Sequence, residues 1–593
     1  MRFRAADART RAIRTLAIGT ALLLAALAAG LMMEATFQDG VQTLDILRGL
    51  LMFVTTGWLA WGAMLAVAGL WPMKAAARPR FDPTTGRTVV LVPICNEDPV
   101  ATFARVAAID ASIAQAGVTA DVAILSDTRD DMAALREREA FARLLAVTGG
   151  QGRIFYRRRE VNTGRKAGNI EEFIRRSGAA YDYAVILDAD SLIEGETVRA
   201  MIARMQADPN LGLLQTLPRI LAARSFLGRA LQFSAAFHSP VFTRGLARMQ
   251  GATGPFWGHN AIVRVTAFAE SCGLPALTGR PPFGGHILSH DYVEAALLAR
   301  AGWTVTVDPT LDGSYEEGPE NVLSYAKRDR RWCQGNLQHT RLLFAPGFRG
   351  WSRFVFLQGI LAYVVSALWA LFLVVSVLAT IFAPEPNYFP DRYQLFPVFP
   401  DDRTREITAL FLGIVGLLIL PKLAIVAEAV MTGRARGFGG AARTARSVLA
   451  EVALTSLLAP VMMVYQTRAI LQVLSGQDGG WPANARAEGR IALVAAVRAA
   501  LWVSATGAGV LAAVWHFAPD LVLWLLPVGL PMLAAPVLIA VTSRPYEGGL
   551  FAVPDRADPP AVFTAYLAVL DGWAASASAG ADAETGGASD VAA

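Results

Sequence analysis

Long uncharged runs and short apolar runs both recur along this chain, and they predict two kinds of structure. Residues 15–33, 49–73, 354–384 and 521–543 are each long enough to cross about 30 Å of hydrocarbon as a helix rising about 1.5 Å per residue. Residues 410–430 and 499–518 are near-complete spans with charges only toward their ends, so six spans are expected. The first follows a basic segment without a clear small-residue cleavage site and is expected to be a retained anchor. Residues 447–475 are apolar but interrupted by Glu451, Pro460 and Arg468, with arginines on both sides. An interfacial or re-entrant helix and a cytosolic C-terminus are expected there; a seventh span with an external tail is the rival count.

Short apolar runs of four to eight residues fill the region between the second and third spans. "RTVVLVPI", "DVAILSD", "RIFYR" and "YAVILDAD" alternate with helical segments at 101–116, 131–148 and 166–177. That alternation predicts a parallel sheet with helices on both faces, and ligands in such sheets sit beyond the carboxyl ends of the strands. Basic residues flank the spans at 2–14, 74–80, 349–353 and 434–446, whereas 34–47 has none and 384–402 is acidic and aromatic. The positive-inside rule therefore places the N-terminus and residues 74–353 in the cytosol.

Composition supports a membrane protein, with 54% hydrophobic residues against 17% charged. The net charge of +5 is accounted for by the basic flanks, and no basic run with interleaved aromatics indicates nucleic acid. Three scattered cysteines exclude a disulfide framework and a cysteine zinc site. The tail after Asp571 is small and polar and is expected to be disordered.

Candidate chemistry gathers at the strand ends: Glu97 after the first, Asp127 after the second, Asp188 and Asp190 after the fourth. Carboxylates crowded on one rim repel unless a cation or donor neutralises them, and Mg²⁺ or Mn²⁺ shared with substrate phosphates suits such oxygens. The competing reading is that Asp188 or Asp190 caps the helix starting near Gly195. "NTGRKAGN", with Arg165 and Lys166 opening a helix, offers a phosphate cradle without being a Walker A loop.

"VPICNED", "LSD", "GRKAGN", "LDADS", "GPFWGHN", "LSHDYVEA" and "KRDRRWCQGN" occur in the order seen in processive, inverting family-2 glycosyltransferases of the cellulose synthase type, which the chain resembles. "SYEEGPEN" and "KRDRRWCQGNLQH" resemble more closely the glucosyltransferases of bacterial osmoregulated periplasmic glucan synthesis. The likeness extends from about residue 88 to 553. It implies an α/β GT-A (Rossmann-like) domain at 81–348 inserted in a multi-span helical membrane domain. A transmembrane hairpin (1–80), a channel region with an interfacial helix (349–545) and a cytosolic tail (546–593) would complete the chain.

By the same resemblance Glu97, Asp127 and Lys166 would bind the nucleotide of a UDP-sugar, and Asp188 and Asp190 would hold the diphosphate and metal. Asp291 would be the catalytic base, or instead an N-cap for its helix. Arg331 would stabilise the leaving diphosphate. Trp332, Phe256, Trp257 and His259 would line the acceptor site, with His290 behind them. Arg328 stands where the family has glutamine, which leaves its role open between the site and lipid phosphates. The implied function is a processive glucosyltransferase of the bacterial inner membrane that builds a linear β-(1,2)-glucan from UDP-glucose. Partners would be the growing glucan and membrane lipids, with acyl carrier protein and periplasmic glucan-processing proteins as further candidates. A single-transfer enzyme acting on a lipid-linked acceptor, or another β-glycan synthase, is the alternative, followed by a transporter or sensor with a nucleotide domain. Residues 475–486 fall where a gating loop would lie.

Overall fold

The computed structural model describes residues 6–37, 42–73, 79–383, 393–396, 403–478 and 489–587, with side chains described to residue 575. The predicted gating loop lies largely outside the described residues. Ten strands form in the insert: β1 (Thr88–Ile94), β2 (Ala120–Ser126), β3 (Ile154–Arg158), β4 (Tyr183–Ile186), β5 (Leu192–Ile193), β6 (Leu211–Gln215), β7 (Arg219–Leu221), β8 (Ala261–Arg264), β9 (Thr304–Val307) and β10 (Ser314–Glu317). Seven of them make one sheet in the order β3-β2-β1-β4-β8-β6-β9, and β5-β10-β7 make a small second sheet.

The first four strands are parallel, as the alternating pattern predicts, because each is followed by a helix that returns the chain to the same edge. β8 runs antiparallel to both β4 and β6, so the sheet is mixed and not wholly parallel. Every residue of β1 is buried, which explains why its sequence is a continuous apolar run without alternation. Helices Pro99–Gln115 and Gly195–Ala207 cover one face of the sheet. Helices Arg165–Ser177 and His290–Ala301 cover the other.

Among the described residues six helices are long and apolar enough to cross a membrane: Ala8–Thr36, Thr43–Gly69, Gly350–Ile381, Thr404–Met431, Ala441–Leu474 and Leu493–Phe517. Pro519–Leu533 and Ala535–Thr542, expected as one span, form a pair bent by 56°. The bend follows from Pro527, Pro531 and Pro536, which remove backbone donors from the ladder.

Ala441–Leu474 is one continuous helix through Pro460, and length and composition alone would count it a span. It also contacts the insert. Near its start, Ser447 Oγ accepts from Phe551 N at 3.0 Å, and the Phe551 carbonyl in turn accepts from Arg229 of the insert. Glu451 lies 3.9 Å from His238 of the insert. Gln466 donates to Asp329 at 2.6 Å, and Gln472 accepts from Arg330 at 3.2 Å. The helix is thus tied to the insert near both ends.

The insert is bolted to the first hairpin through backbone carbonyls that a helix end leaves unsatisfied. Arg244 Nε donates to Gly69 O at 2.8 Å and Arg248 Nη2 to Trp71 O at 2.7 Å, both at the C-terminus of Thr43–Gly69. Arg14 of the first helix reaches back to Met249 O and Gln250 O at 2.6 and 2.8 Å.

The tail differs from expectation. A helix runs from Ala561 to Gly587, and Val562, Tyr566 and Trp573 are buried in the main core against helix Pro99–Gln115. Read as small and polar, the sequence after Asp571 is in fact alanine-rich, and alanine is the strongest helix former. The helix is seeded by the apolar residues that dock just before it.

Candidate active site

β4 ends in the turn that carries Asp188 and Asp190, and that turn is stitched to two other segments. Asp188 N donates to Ser191 Oγ at 2.9 Å, and Ser191 Oγ lies 2.5 Å from Asn260 Oδ1 in the loop before β8. Asn260 Nδ2 continues to Ser314 Oγ at 2.8 Å and Tyr315 O at 3.1 Å on β10. Asn260 is wholly buried with φ of 50°, a left-handed conformation that asparagine tolerates better than most residues. One side chain thus fixes the acidic turn, the loop and the small sheet relative to one another.

Neither aspartate caps a helix. β5 intervenes, and Gly195–Ala207 has Glu194 at its N-cap position. Asp188 instead forms an ion pair with Lys166, whose Nζ also donates to Gly258 O at 2.7 Å. A Cβ on Gly258 would lie 3.6 Å from Asp291 Oδ2. A single glycine therefore separates the diphosphate candidates Lys166 and Asp188 from the base candidate Asp291.

Asp291 is not the cap of its helix either: Ser289 occupies that position and Asp291 is the second helical residue. Burial pushes the Asp291 carboxyl above the ordinary carboxylate range, with Glu294 adding to the shift while His290 and Lys166 oppose it. His290 Nδ1 lies 2.9 Å from Glu294; burial works to lower its pKa, but Glu294 and Asp291 together raise it.

Helix Val322–Gln338 closes the opposite wall. Arg331 is buried, whereas Trp332 is 42% exposed. The Arg328 guanidinium stacks 4.6 Å above the Trp332 ring, so at this position arginine covers an aromatic face beside the cleft.

Three of the expected site residues have partners within the fold. Phe256 does not line a cleft; it is 1% exposed and packs in the core with Leu91, Val263 and Leu298. The glycines of its loop suggested openness, but the ring turns inward. Asp127 is 5% exposed and held by Arg159 Nε and Nη2, with Asn169 Nδ2 adding a bond at 2.9 Å, so it anchors the "GRKAGN" turn. A buried carboxylate requires such a partner, and the arginine run at the end of β3 was its sequence signal. Glu97 folds back to accept from Cys95 N, which shapes the turn after β1.

Trp257 is partly buried, and its backbone N donates to Gln215 at 2.9 Å. His259 lies 3.6 Å from Glu316 on β10. Burial works to lower the His259 pKa, but Asp188 and Glu316 raise it overall. Glu316 itself was not singled out from sequence.

Among the described residues no group of three or more His, Cys, Asp or Glu is placed to hold a metal ion by itself. Asp188 and Asp190 do supply hard oxygen donors at one strand end. That set fits an ion such as Mg²⁺ that takes its remaining ligands from substrate phosphates and water.

The sequence is shared with known proteins. The family model for glycosyl transferase family 2 matches residues 90–271, and that for glycosyl transferase family group 2 matches residues 183–415. A glucans biosynthesis glucosyltransferase H from Cereibacter sphaeroides is 56% identical over 577 residues, covering 96% of this chain and 97% of that protein. The chain belongs to the glucans biosynthesis glucosyltransferases of family 2. Another member, from Rhodopseudomonas palustris strain TIE-1, is 40% identical over 550 residues and covers 89% of this chain and 75% of its own. Among solved structures, a mannosyltransferase from Pyrobaculum calidifontis in complex with GDP-Man and Mn²⁺ superimposes with a TM-score of 0.45 at 15% identity, over 73% of this chain and all of that one. As a family-2 glucosyltransferase the protein has a GT-A-type sheet domain joined to membrane-spanning helices, and it transfers glucose from a nucleotide-sugar donor to a glycan acceptor.

Proposed function

We propose that this glucosyltransferase uses UDP-glucose to extend a linear β-(1,2)-glucan processively, and that the glucan passes from the insert into the membrane helices. The observation that carries the reading is Gly258, whose carbonyl accepts from Lys166 while a Cβ at the same position would come within 3.6 Å of Asp291 Oδ2. That arrangement suits an in-line displacement. Asp291 removes the proton of an acceptor hydroxyl as that oxygen attacks the anomeric carbon. The bond to the diphosphate breaks, its electron pair leaves with UDP, and an α-linked donor becomes a β-glucoside. Lys166 and Arg331 neutralise charge on the departing diphosphate. A divalent ion held by Asp188 and Asp190 would supply further neutralisation of the phosphates when bound.

The exposed face of Trp332 supports processivity, because a flat apolar ring retains a sugar end after each addition. Basic flanks support a cytosolic insert in the bacterial inner membrane, where the nucleotide sugar is made. Incubating the purified protein with a panel of UDP-sugars, followed by linkage analysis of the product, tests the proposal. Glucose incorporation into a β-(1,2) polymer is expected. A single glucose added to a lipid would instead identify the single-transfer enzyme.

A further inference from the structure

The C-terminal helix docks on the insert next to the acidic turn, and one arginine joins the two. Arg105 lies on helix Pro99–Gln115 and is 7% exposed. Its Nη1 donates to Ala189 O at 3.4 Å, and its Nη2 pairs with Glu317 on β10. Its guanidinium carbon stands 4.8 Å from the centre of the Tyr566 ring, which the C-terminal helix supplies. A buried guanidinium is costly unless its charge is met, and here a carboxylate, a carbonyl and an aromatic face meet it.

The same helix makes a second contact one turn earlier, at Val562. Val562 N donates to Glu194 Oε1 at 3.3 Å, and Glu194 Oε2 accepts from Ser112 Oγ at 3.3 Å. Ser112 Oγ in turn accepts from Gly195 N at 2.8 Å. Glu194 follows β5, the short strand by which the chain leaves the acidic turn, and β5 pairs with β10. The C-terminal helix therefore holds both the exit of that turn and the arginine bonded to its middle.

The Ala189 carbonyl belongs to the peptide that joins Ala189 to Asp190. A peptide is planar, so a bond to its oxygen fixes the plane from which the Asp190 backbone leaves. Ser191 and Asn260 anchor the turn at Asp188, and Arg105 anchors it at Asp190. We propose that the C-terminal helix is a positioning element of the donor site: Tyr566 holds Arg105 on the Ala189 carbonyl, and that bond orients Asp190 for the divalent ion and the diphosphate. The inference rests on the reading of Asp188 and Asp190 as the residues that hold the ion. Arg105 and Tyr566 act through the turn and not on the substrate.

The test uses the full-length protein in detergent. Tyr566→Leu keeps an apolar side chain in the core but removes the ring, Tyr566→Phe keeps the ring, and Arg105→Met removes the bond to Ala189. Mn²⁺ binding in the presence of UDP is read by calorimetry without turnover. The Mn²⁺ concentration at half-maximal activity is then read beside kcat at saturating Mn²⁺. Partners that orient a metal ligand typically change affinity about 10- to 100-fold when removed, so Tyr566→Leu and Arg105→Met should weaken Mn²⁺ binding by about tenfold or more, with kcat at saturating Mn²⁺ within about twofold of wild type. Tyr566→Phe should match wild type. A lowered thermal midpoint with unchanged Mn²⁺ affinity in Tyr566→Leu would make the helix a packing element only and overturn the proposal. An equal loss of Mn²⁺ affinity in Tyr566→Phe would overturn it too, since the ring face would not be what holds Arg105. Should Arg105→Met fail to fold, the two Tyr566 variants decide by themselves. Wild-type protein that turns over at full rate in EDTA would refute the reading of the acidic turn itself, before the variants are compared.

Discussion

Gly335 abuts Ser289 so closely that a Cβ on the glycine would sit 2.8 Å from the serine's backbone nitrogen and overlap its hydroxyl. The contact locks the helix bearing Arg331 and Trp332 to the residue that starts the Asp291 helix, and His339 Nε2 adds a bond to Ser289 O at 2.9 Å. Gly335→Ala should force the two walls of the site apart. A misplacement of about 1 Å between reacting groups costs about 10²-fold in rate. We expect kcat to fall by that order with UDP affinity nearly unchanged. Unchanged kcat would mean that the Ser289 loop yields and that the walls are independent.

Metal removal gives a second test. Asp188 and Asp190 crowd negative charge where a diphosphate must bind, and Lys166 meets only part of it. Transfer activity should be abolished by EDTA and restored by Mg²⁺ or Mn²⁺. Full turnover in the chelator would leave Lys166 and Arg331 as the only counter-charges.

Asp291 should reveal itself in the pH profile. Its carboxyl is held above the usual range, chiefly by burial, and a general base works only when deprotonated. The acid limb of kcat/KM should therefore lie above the ordinary aspartate value of about 3.9, with rate lost as pH falls through the raised pKa. Asp291→Asn should reduce synthesis by about 10²-fold or more with UDP binding near wild type. Binding that collapsed along with turnover would make Asp291 structural.

The strand ends were legible in the sequence because buried parallel strands are apolar throughout, so a carboxylate after one stands out, as Asp188 and Asp190 do. Residues outside the parallel strands were less so. Phe256 lies between glycine and proline on one side and tryptophan on the other, a context that does not say which aromatic turns inward. Glu316 sits in "SYEE", where two adjacent glutamates face opposite sides; only the period-two alternation, once the strand is known, separates the one beside His259 from the one paired with Arg105. The helix over 447–475 was only partly legible, because positive flanks on both sides conflict with a simple crossing while its length and composition fit one. The tail was not, since its docking residues Tyr566 and Trp573 are separated from their partners by the whole membrane domain.

That docking makes a stability prediction. Trp573 is 6% exposed within the main core, and truncating a buried tryptophan to alanine costs about 3–5 kcal/mol. Trp573→Ala should lower the thermal midpoint of the detergent-solubilised protein and release the tail helix to protease. A midpoint within 1 °C or so of wild type, where a change of about 1 kcal/mol moves a domain of 150–250 residues by about 2–4 °C, would show that the helix is dispensable.

Trp332 separates processive from single-transfer chemistry. Its ring stands exposed next to buried Arg331 and under the Arg328 guanidinium, so a sugar that meets it lies beside the departing diphosphate. Trp332→Ala removes that platform and leaves Lys166, Asp188, Asp190, Asp291 and Arg331 in place. The variant should still hydrolyse UDP-glucose to UDP and free glucose, because the donor half of the site is intact, but water will replace a polymer end that no longer dwells there. Chromatography of the products reads both quantities at once. Chains as long as the wild type's would show that retention resides elsewhere along the path, whereas loss of hydrolysis as well would place Trp332 in the donor site.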